Sequence, residues 1–148
     1  MIKVEEISKS FDGVEILKEI STVFDKGKTN LIIGQSGSGK TVLMKCLLGL
    51  LEVEKGNIYF DNEKFDKENI SALAHLRKEV GTVFQGSALF DSMTVLENII
   101  FPMKMFSNKT DEEMLLRAQE VINRVDLKDA DNKYTSEISG GMKKRVAI

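Results

Sequence analysis

The sequence has little of several things, and each shortage narrows its function. It holds one cysteine, Cys46, in 148 residues. An internal disulfide and a cysteine-rich metal site are therefore excluded, and a reducing cytosol is the compartment that fits. It has no surplus of either charge: 21 Lys+Arg stand against 23 Asp+Glu, a net charge of -2. A dedicated nucleic-acid binder or a polybasic membrane-surface protein carries a positive excess that is missing here. No long apolar run is present. The start, MIKVEEISKS, lacks a signal-peptide core, and the longest mostly apolar stretch, Val42 to Leu51, contains Lys45 and is half a membrane span. With 42% hydrophobic and 30% charged residues, the composition is that of one soluble, cytoplasmic globular domain and is too apolar for disorder.

What is present is an alternation of short strand and helix patterns. Ile2, Val4 and Ile7 begin a strand, Asp12-Gly13 is a hairpin turn, and Ile16-Leu17 and Ile20 to Phe24 form its return. After a turn at Asp25–Lys28, Asn30–Ile33 is an apolar run of the buried-strand kind. Residues 40–51 form a helix apolar nearly all round, which predicts a largely buried element. Ile58-Tyr59-Phe60 is a strand; Ser71 caps a short helix through Lys78 with Leu73 and Leu76 inward. Glu79–Phe84 is a strand that ends at Gln85. Thr94–Met105 is helical but interrupted at Pro102. Thr110 with Glu113 is a capping box ahead of a helix whose apolar stripe is Met114, Leu115, Ala118, Val121, Ile122 and Val125. The pattern predicts an α/β fold with an antiparallel N-terminal portion and a helical insertion after Gln85.

Between the Asn30–Ile33 run and the following helix lies Gly34-Gln35-Ser36-Gly37-Ser38-Gly39-Lys40-Thr41, a full match to G-x-x-x-x-G-K-[ST]. Glycines let backbone N–H groups turn inward around phosphate oxygens, and the next helix adds its positive dipole end. Lys40 supplies a mobile cation for β- and γ-phosphates, and Thr41 offers a hydroxyl to Mg²⁺. Nucleoside triphosphate binding follows, but such a loop does not choose among kinases, GTPases and transport ATPases.

Near the other end, Ser139-Gly140-Gly141 precedes Met142-Lys143-Lys144-Arg145-Val146-Ala147-Ile148. By itself this has the makings of a second phosphate site, but an ordinary loop capping a helix is the reading it favours. Paired with the first loop, it closely resembles the ATP-binding-cassette (ABC) ATPases, whose signature reads LSGGQ-x-x-R-V-A-I. Ile138 leads here, Met142 replaces the glutamine, and Ser139, Gly140, Gly141, Arg145, Val146, Ala147 and Ile148 keep the pattern.

The resemblance covers essentially the whole chain and implies a P-loop NTPase core with an antiparallel β portion and a helical subdomain. It divides the chain into an ATP-binding core over 1–85, the helical subdomain over 86–138, and the signature over 139–148. It implies that Phe11 stacks on adenine, the alternative being a core aromatic. Glu54 to Ile58 falls at the family's Gly-centred turn into a strand. Gln85 is the glutamine that reaches Mg²⁺ and the attacking water, the alternative being a solvated loop residue. ATP and Mg²⁺ are the ligands implied. Two copies would dimerise head to tail, Ser139–Gly141 of one closing over nucleotide on Gly34–Thr41 of the other. A transmembrane permease would be the second partner, touched by Leu89, Phe90 and Met93 (the alternative for these being interior packing of the insertion), and would hold the subunit at the inner face of the membrane. The run from Gly86 to Ile99 and the Met form of the signature are similar to the bacterial lipid-trafficking (Mla/Mce-type) branch.

His75 is expected at the surface, Cys46 as a small buried apolar residue, and Lys143-Lys144-Arg145 as a solvated helix face. The family's four apolar residues followed by Asp-Glu, which hold Mg²⁺ and polarise water, occur nowhere in the sequence, and neither does its later switch histidine. The expectation is a truncated subunit that binds nucleotide better than it hydrolyses it, with an incomplete sheet and an exposed apolar edge. A soluble ABC ATPase unconnected to transport and a non-hydrolysing nucleotide-binding module are the alternatives. A kinase or GTPase shares only the first loop.

Overall fold

The computed structural model describes residues 1–148, which form two compact units, Met1–Gly81 and Thr82–Ile148. The first is built on an antiparallel sheet. Strand β1 (Ile2–Phe11) turns through Asp12 and Gly13, both at positive φ as a tight hairpin requires, into β2 (Val14–Phe24). Strands β3 (Lys55–Phe60) and β4 (Glu63–Lys64) complete the order β2-β1-β3-β4. Both β1 ladders slip register. At these slips Glu6 and Glu19 take positive φ, and their N–H groups donate to Ser21 Oγ at 2.9 Å and Ser8 Oγ at 3.1 Å. Side-chain hydroxyls thus replace lost ladder partners. Gly56 fits its bulge because a Cβ there would lie 2.3 Å from the Glu5 carbonyl oxygen.

Helices α1 (Lys40–Leu47) and α2 (Ile70–Glu79) cover one face of this sheet, burying Val4, Ile7, Leu17, Cys46, Leu47, Ile58, Ala72 and Leu76 together. The second unit holds α3 (Val95–Phe106), α4 (Asp111–Arg124) and α5 (Gly140–Val146), with a 3-10 turn at Thr135–Glu137. Its centre is Val95, Ile122, Leu127, Ala130 and Ile138. The α/β class with an antiparallel N-terminal portion is observed, as is the expected capping box of Thr110 with Glu113; a second, unexpected one joins Thr94 and Glu97.

Several local expectations are corrected. Asn30–Ile33 and residues 80–84 enter no ladder, and no strands pair in parallel. Leu31 and Ile33 are each 80% exposed, so these apolar runs have extended-strand composition without a neighbour to bond. Glu79 ends α2 instead of opening a strand. The helix after the glycine loop stops at Leu47, and only Leu43, Cys46 and Leu47 are buried, with Met44 and Leu50 exposed. Asn69, not Ser71, caps α2, accepting from the Ala72 N–H, and Ala72 joins Leu76 inside while Leu73 is half-buried. Helix α3 runs through Pro102. In α4 the buried residues are Met114, Ala118 and Ile122, while Leu115 is exposed.

Candidate nucleotide site

Four of the five α-helices carry a side-chain cap on their first turn: Asn69 on α2, Thr94 on α3, Thr110 on α4 and Ser139 on α5. Helix α1 does not. Its N-cap is Gly39, in the left-handed region at φ 88, with no side-chain acceptor. A helix start leaves backbone N–H groups without partners inside the helix, and they attract an anion. The uncapped start is therefore a seat for an external acceptor, and it lies where the glycine loop delivers it.

Gly39 is required there by packing as well as by φ. A Cβ would meet Ile16 Cγ2 at 3.0 Å and the Ile16 carbonyl oxygen at 3.2 Å, so the loop end lies flush on β2. Gly34 has a related constraint, since a Cβ would come 2.7 Å from Ser38 Oγ. Ser38 N–H donates to the Gln35 carbonyl at 3.3 Å, closing the loop as a turn. Lys40 folds back over it, and its Nζ donates to the Gly34 and Gln35 carbonyls at 2.8 and 2.6 Å. An open cavity of about 350 Å³ remains, lined by Phe11, Ile16 and the run Ser36 to Val42. Phe11 is 41% exposed there and is no core aromatic. The cavity thus gathers an aromatic ring, the loop amides, the Lys40 cation and the Thr41 hydroxyl.

The other sequence-derived candidates belong to the second unit. Gln85 lies exposed in a turn after the unpaired segment. Ser139 Oγ accepts from the Met142 N–H at 3.2 Å, so it caps α5, while Gly140 and Gly141 form that helix's exposed first turn. Arg145 is not part of a solvated face. Its Nη1 donates to the Val125 and Asp126 carbonyls at 2.9 and 2.7 Å, tying α5 to the end of α4. His75 is exposed, edge-on to Phe60 at 5.4 Å, and Cys46 is buried, with desolvation pushing its thiol pKa up.

Three residues around these positions were not singled out by the sequence. Ile16 forms a wall of the cavity. Lys9 sets its ammonium over the Phe11 ring. Asn98, buried in α3, accepts from the Phe90 N–H and donates to the Phe90, Met93 and Thr94 carbonyls at 3.1, 3.2 and 2.9 Å, fixing the loop before α3. An asparagine on the inward side of an apolar helix is the only signal that could have drawn attention to it.

A family profile described as ABC transporter matches residues 17–148. The arginine transport ATP-binding protein ArtM of Bacillus subtilis (strain 168) is 38% identical over 148 residues, all of this chain and 61% of its own length. The chloroplastic protein TRIGALACTOSYLDIACYLGLYCEROL 3 of Arabidopsis thaliana is 37% identical over 152 residues, 100% of this chain and 43% of that protein. Among solved structures, a dimeric post-hydrolysis state of the ATP-binding cassette MJ0796, bound to ADP and Pi, is similar with a TM-score of 0.86 and 28% identity. That likeness covers 99% of this chain and 67% of the other. The chain spans less than two thirds of the length of both curated relatives. The family match runs from within β2 through α5, and on it the chain belongs to the ABC transporter family of ATPases.

Proposed function

We propose that this chain is the ATP-binding part of an ABC transporter subunit, with nucleotide seated on Gly34–Thr41. The uncapped start of α1, opening into a cavity beside an exposed aromatic, carries this reading. The loop amides from Gly34 to Gly39 wrap the phosphates, and Lys40 leaves its two carbonyls to meet the β- and γ-phosphate oxygens. Phe11 takes the adenine. Thr41 fits Mg²⁺, a hard cation that keeps several waters and adds substrate phosphates to one or two protein oxygens. The chain has no cluster of three or more His, Cys, Asp or Glu suited to a dedicated metal cage. When bound, such an ion would supply charge neutralisation to the phosphates; the role proposed for Gln85 is to offer a carboxamide oxygen and to orient water.

Ser139, Gly140 and Gly141 serve a second copy of the chain in a head-to-tail homodimer. The dimeric state of the similar cassette supports that arrangement. A transmembrane permease is the second partner, a reading supported by the family profile, described as ABC transporter. Its contact is the cavity of about 380 Å³ lined by Ser92, Met93, Glu97, Ile100, Phe101 and Lys104, next to Phe90, whose ring lies 4.8 Å from that of Phe101. On this reading the subunit lies on the cytoplasmic face of the membrane. The cargo is a phospholipid, a reading supported by the Gly86–Ile99 run, by Met142 and by a relative whose name contains a galactolipid. The arginine named for ArtM is the second reading, supported by its 38% identity. Stimulation of ATP turnover in the membrane-reconstituted complex by phospholipid and not by arginine is the result expected, and the reverse assigns the amino acid.

Titration calorimetry of this chain and Lys40→Ala with Mg²⁺-ATP tests the site. Lys40→Ala should bind at least tenfold more weakly, and equal affinity removes Lys40 from its role. Because the 148 residues hold no apolar run ending in Asp-Glu, phosphate release should be orders of magnitude below that of an ATPase that has one. Robust turnover by this chain contradicts that part of the proposal.

A further inference from the structure

Strand β1 places Lys9 and Phe11 two residues apart, on one face of the sheet. The Lys9 Nζ lies over the Phe11 ring, 5.4 Å from its centroid, within the range of a cation–π attraction. The ammonium is not free to wander. Glu54 Oε1 holds it at 3.4 Å, and the Lys9 side chain is only 18% exposed. Glu54 is itself fixed: its Oε1 accepts from the Ser10 N–H at 3.1 Å, and its own N–H donates to the Ser8 carbonyl at 2.9 Å. Lys9 does not line the cavity that Phe11 lines.

We infer that Lys9, anchored by Glu54, is a positioning residue that holds the Phe11 ring and blocks one of its faces, leaving the other for the purine base of the nucleotide. The inference rests on the reading of Phe11 as the base-stacking surface of the proposed site. Two physical effects make the arrangement useful. A ring held before binding loses less rotational freedom when the base arrives. A cation on one face also draws electron density from the ring, which favours stacking of an electron-rich base on the other. The phosphates gain nothing from Lys9, whose charge is committed to Glu54.

Five proteins and two ligands separate these effects: the chain itself, Lys9→Met, Lys9→Arg and the pair Phe11→Leu with and without Lys9→Met, titrated with ATP and with inorganic tripolyphosphate. Lys9→Met keeps the stem and removes the charge. It should weaken ATP about three- to fivefold, the size of a partly exposed cation–π contact, and leave tripolyphosphate affinity unchanged. Lys9→Arg should restore ATP binding, and Lys9→Met should add no further loss in the Phe11→Leu background. Unchanged ATP affinity in Lys9→Met, with normal binding by the parent chain, overturns this inference alone. Equal weakening of ATP and tripolyphosphate also overturns it, since the lysine then acts on phosphate or on the loop's folding. Failure of the parent chain to bind ATP removes the nucleotide site and this inference with it.

Discussion

Single side chains decide much of the second unit. Asn98 is the clearest case, because one carboxamide satisfies one N–H and three carbonyls of the loop before α3. Removing it leaves the Phe90 N–H and the Met93 carbonyl without this partner, whereas the Phe90 and Thr94 carbonyls keep the Met93 and Asn98 N–H groups; a stranded group costs about 1–3 kcal/mol. Asn98→Ala should lower unfolding stability by about 2 kcal/mol in urea titration. Asn98→Asp should be no better despite its identical shape, since a carboxylate would face three carbonyl oxygens. A milder effect from the aspartate would show that shape, and not donation, is what the site needs. The serines at the β1 bulges follow the same logic on a smaller scale, each hydroxyl accepting an N–H that the ladder has dropped.

At the scale of elements, helix starts were the most legible feature of the sequence and extended runs the least. Thr110 with Glu113 is a local, four-residue statement, and α4 begins where it says. The glycine loop was equally readable, because its constraints are backbone ones that glycine alone relieves. Asn30–Ile33 and residues 80–84 were misread as ladder strands because a strand is completed by its neighbour, which composition does not reveal. The caps of α2 and the role of Arg145 were missed for a related reason: Asn69 and Ser71 are interchangeable by type, and Arg145 finds its carbonyls some 20 residues away. Lys9 is not legible in the sequence because its partner Glu54 lies in the bend before β3, far along the chain.

Two opposed substitutions test the helices. Thr110→Ala removes a reciprocal cap and should cost about 1 kcal/mol. Pro102→Ala supplies the N–H missing from the interior of α3 and should stabilise the second unit by about 1–3 kcal/mol. Thermal unfolding followed by circular dichroism reads both, and a destabilising Pro102→Ala would mean that the ring's packing outweighs its lost hydrogen bond.

For the molecule as a whole, the exposed, unladdered runs mark where it is vulnerable. Leu31 and Phe84 lie in such runs, whereas Phe90, although exposed, has both its backbone groups held by Asn98. Limited chymotrypsin digestion should therefore cut first at Leu31 and Phe84, and mass spectrometry showing Phe90 cut earlier would contradict this. The same runs present unpaired backbone beside apolar side chains, so concentration-dependent self-association is expected in sedimentation, and Leu31→Asp with Phe84→Asp should reduce it.

Acid is the second global stress. Glu54 is held below its ordinary value of 4.5 chiefly by the Ser10 N–H, and Asp66 below 3.8 chiefly by the Asn69 N–H. Lowered folded-state values mean stabilisation that is complete above the unfolded values and lost as pH falls through the folded ones. Melting temperature should thus hold at neutral pH and drop below about pH 4, and Glu54→Gln should flatten that drop. A melting profile of Glu54→Gln parallel to that of the parent would remove Glu54 from the account.

The guanidinium of Arg145 reaches from α5 to the chain just past α4, and this has a mechanical consequence. A pull on the Ser139 end of α5 cannot be absorbed by that short helix alone, because two bonds at its far end transmit it to a fourteen-residue rod. On the role proposed for Ser139–Gly141, a partner's contact at the glycine pair would load α4 through this tie.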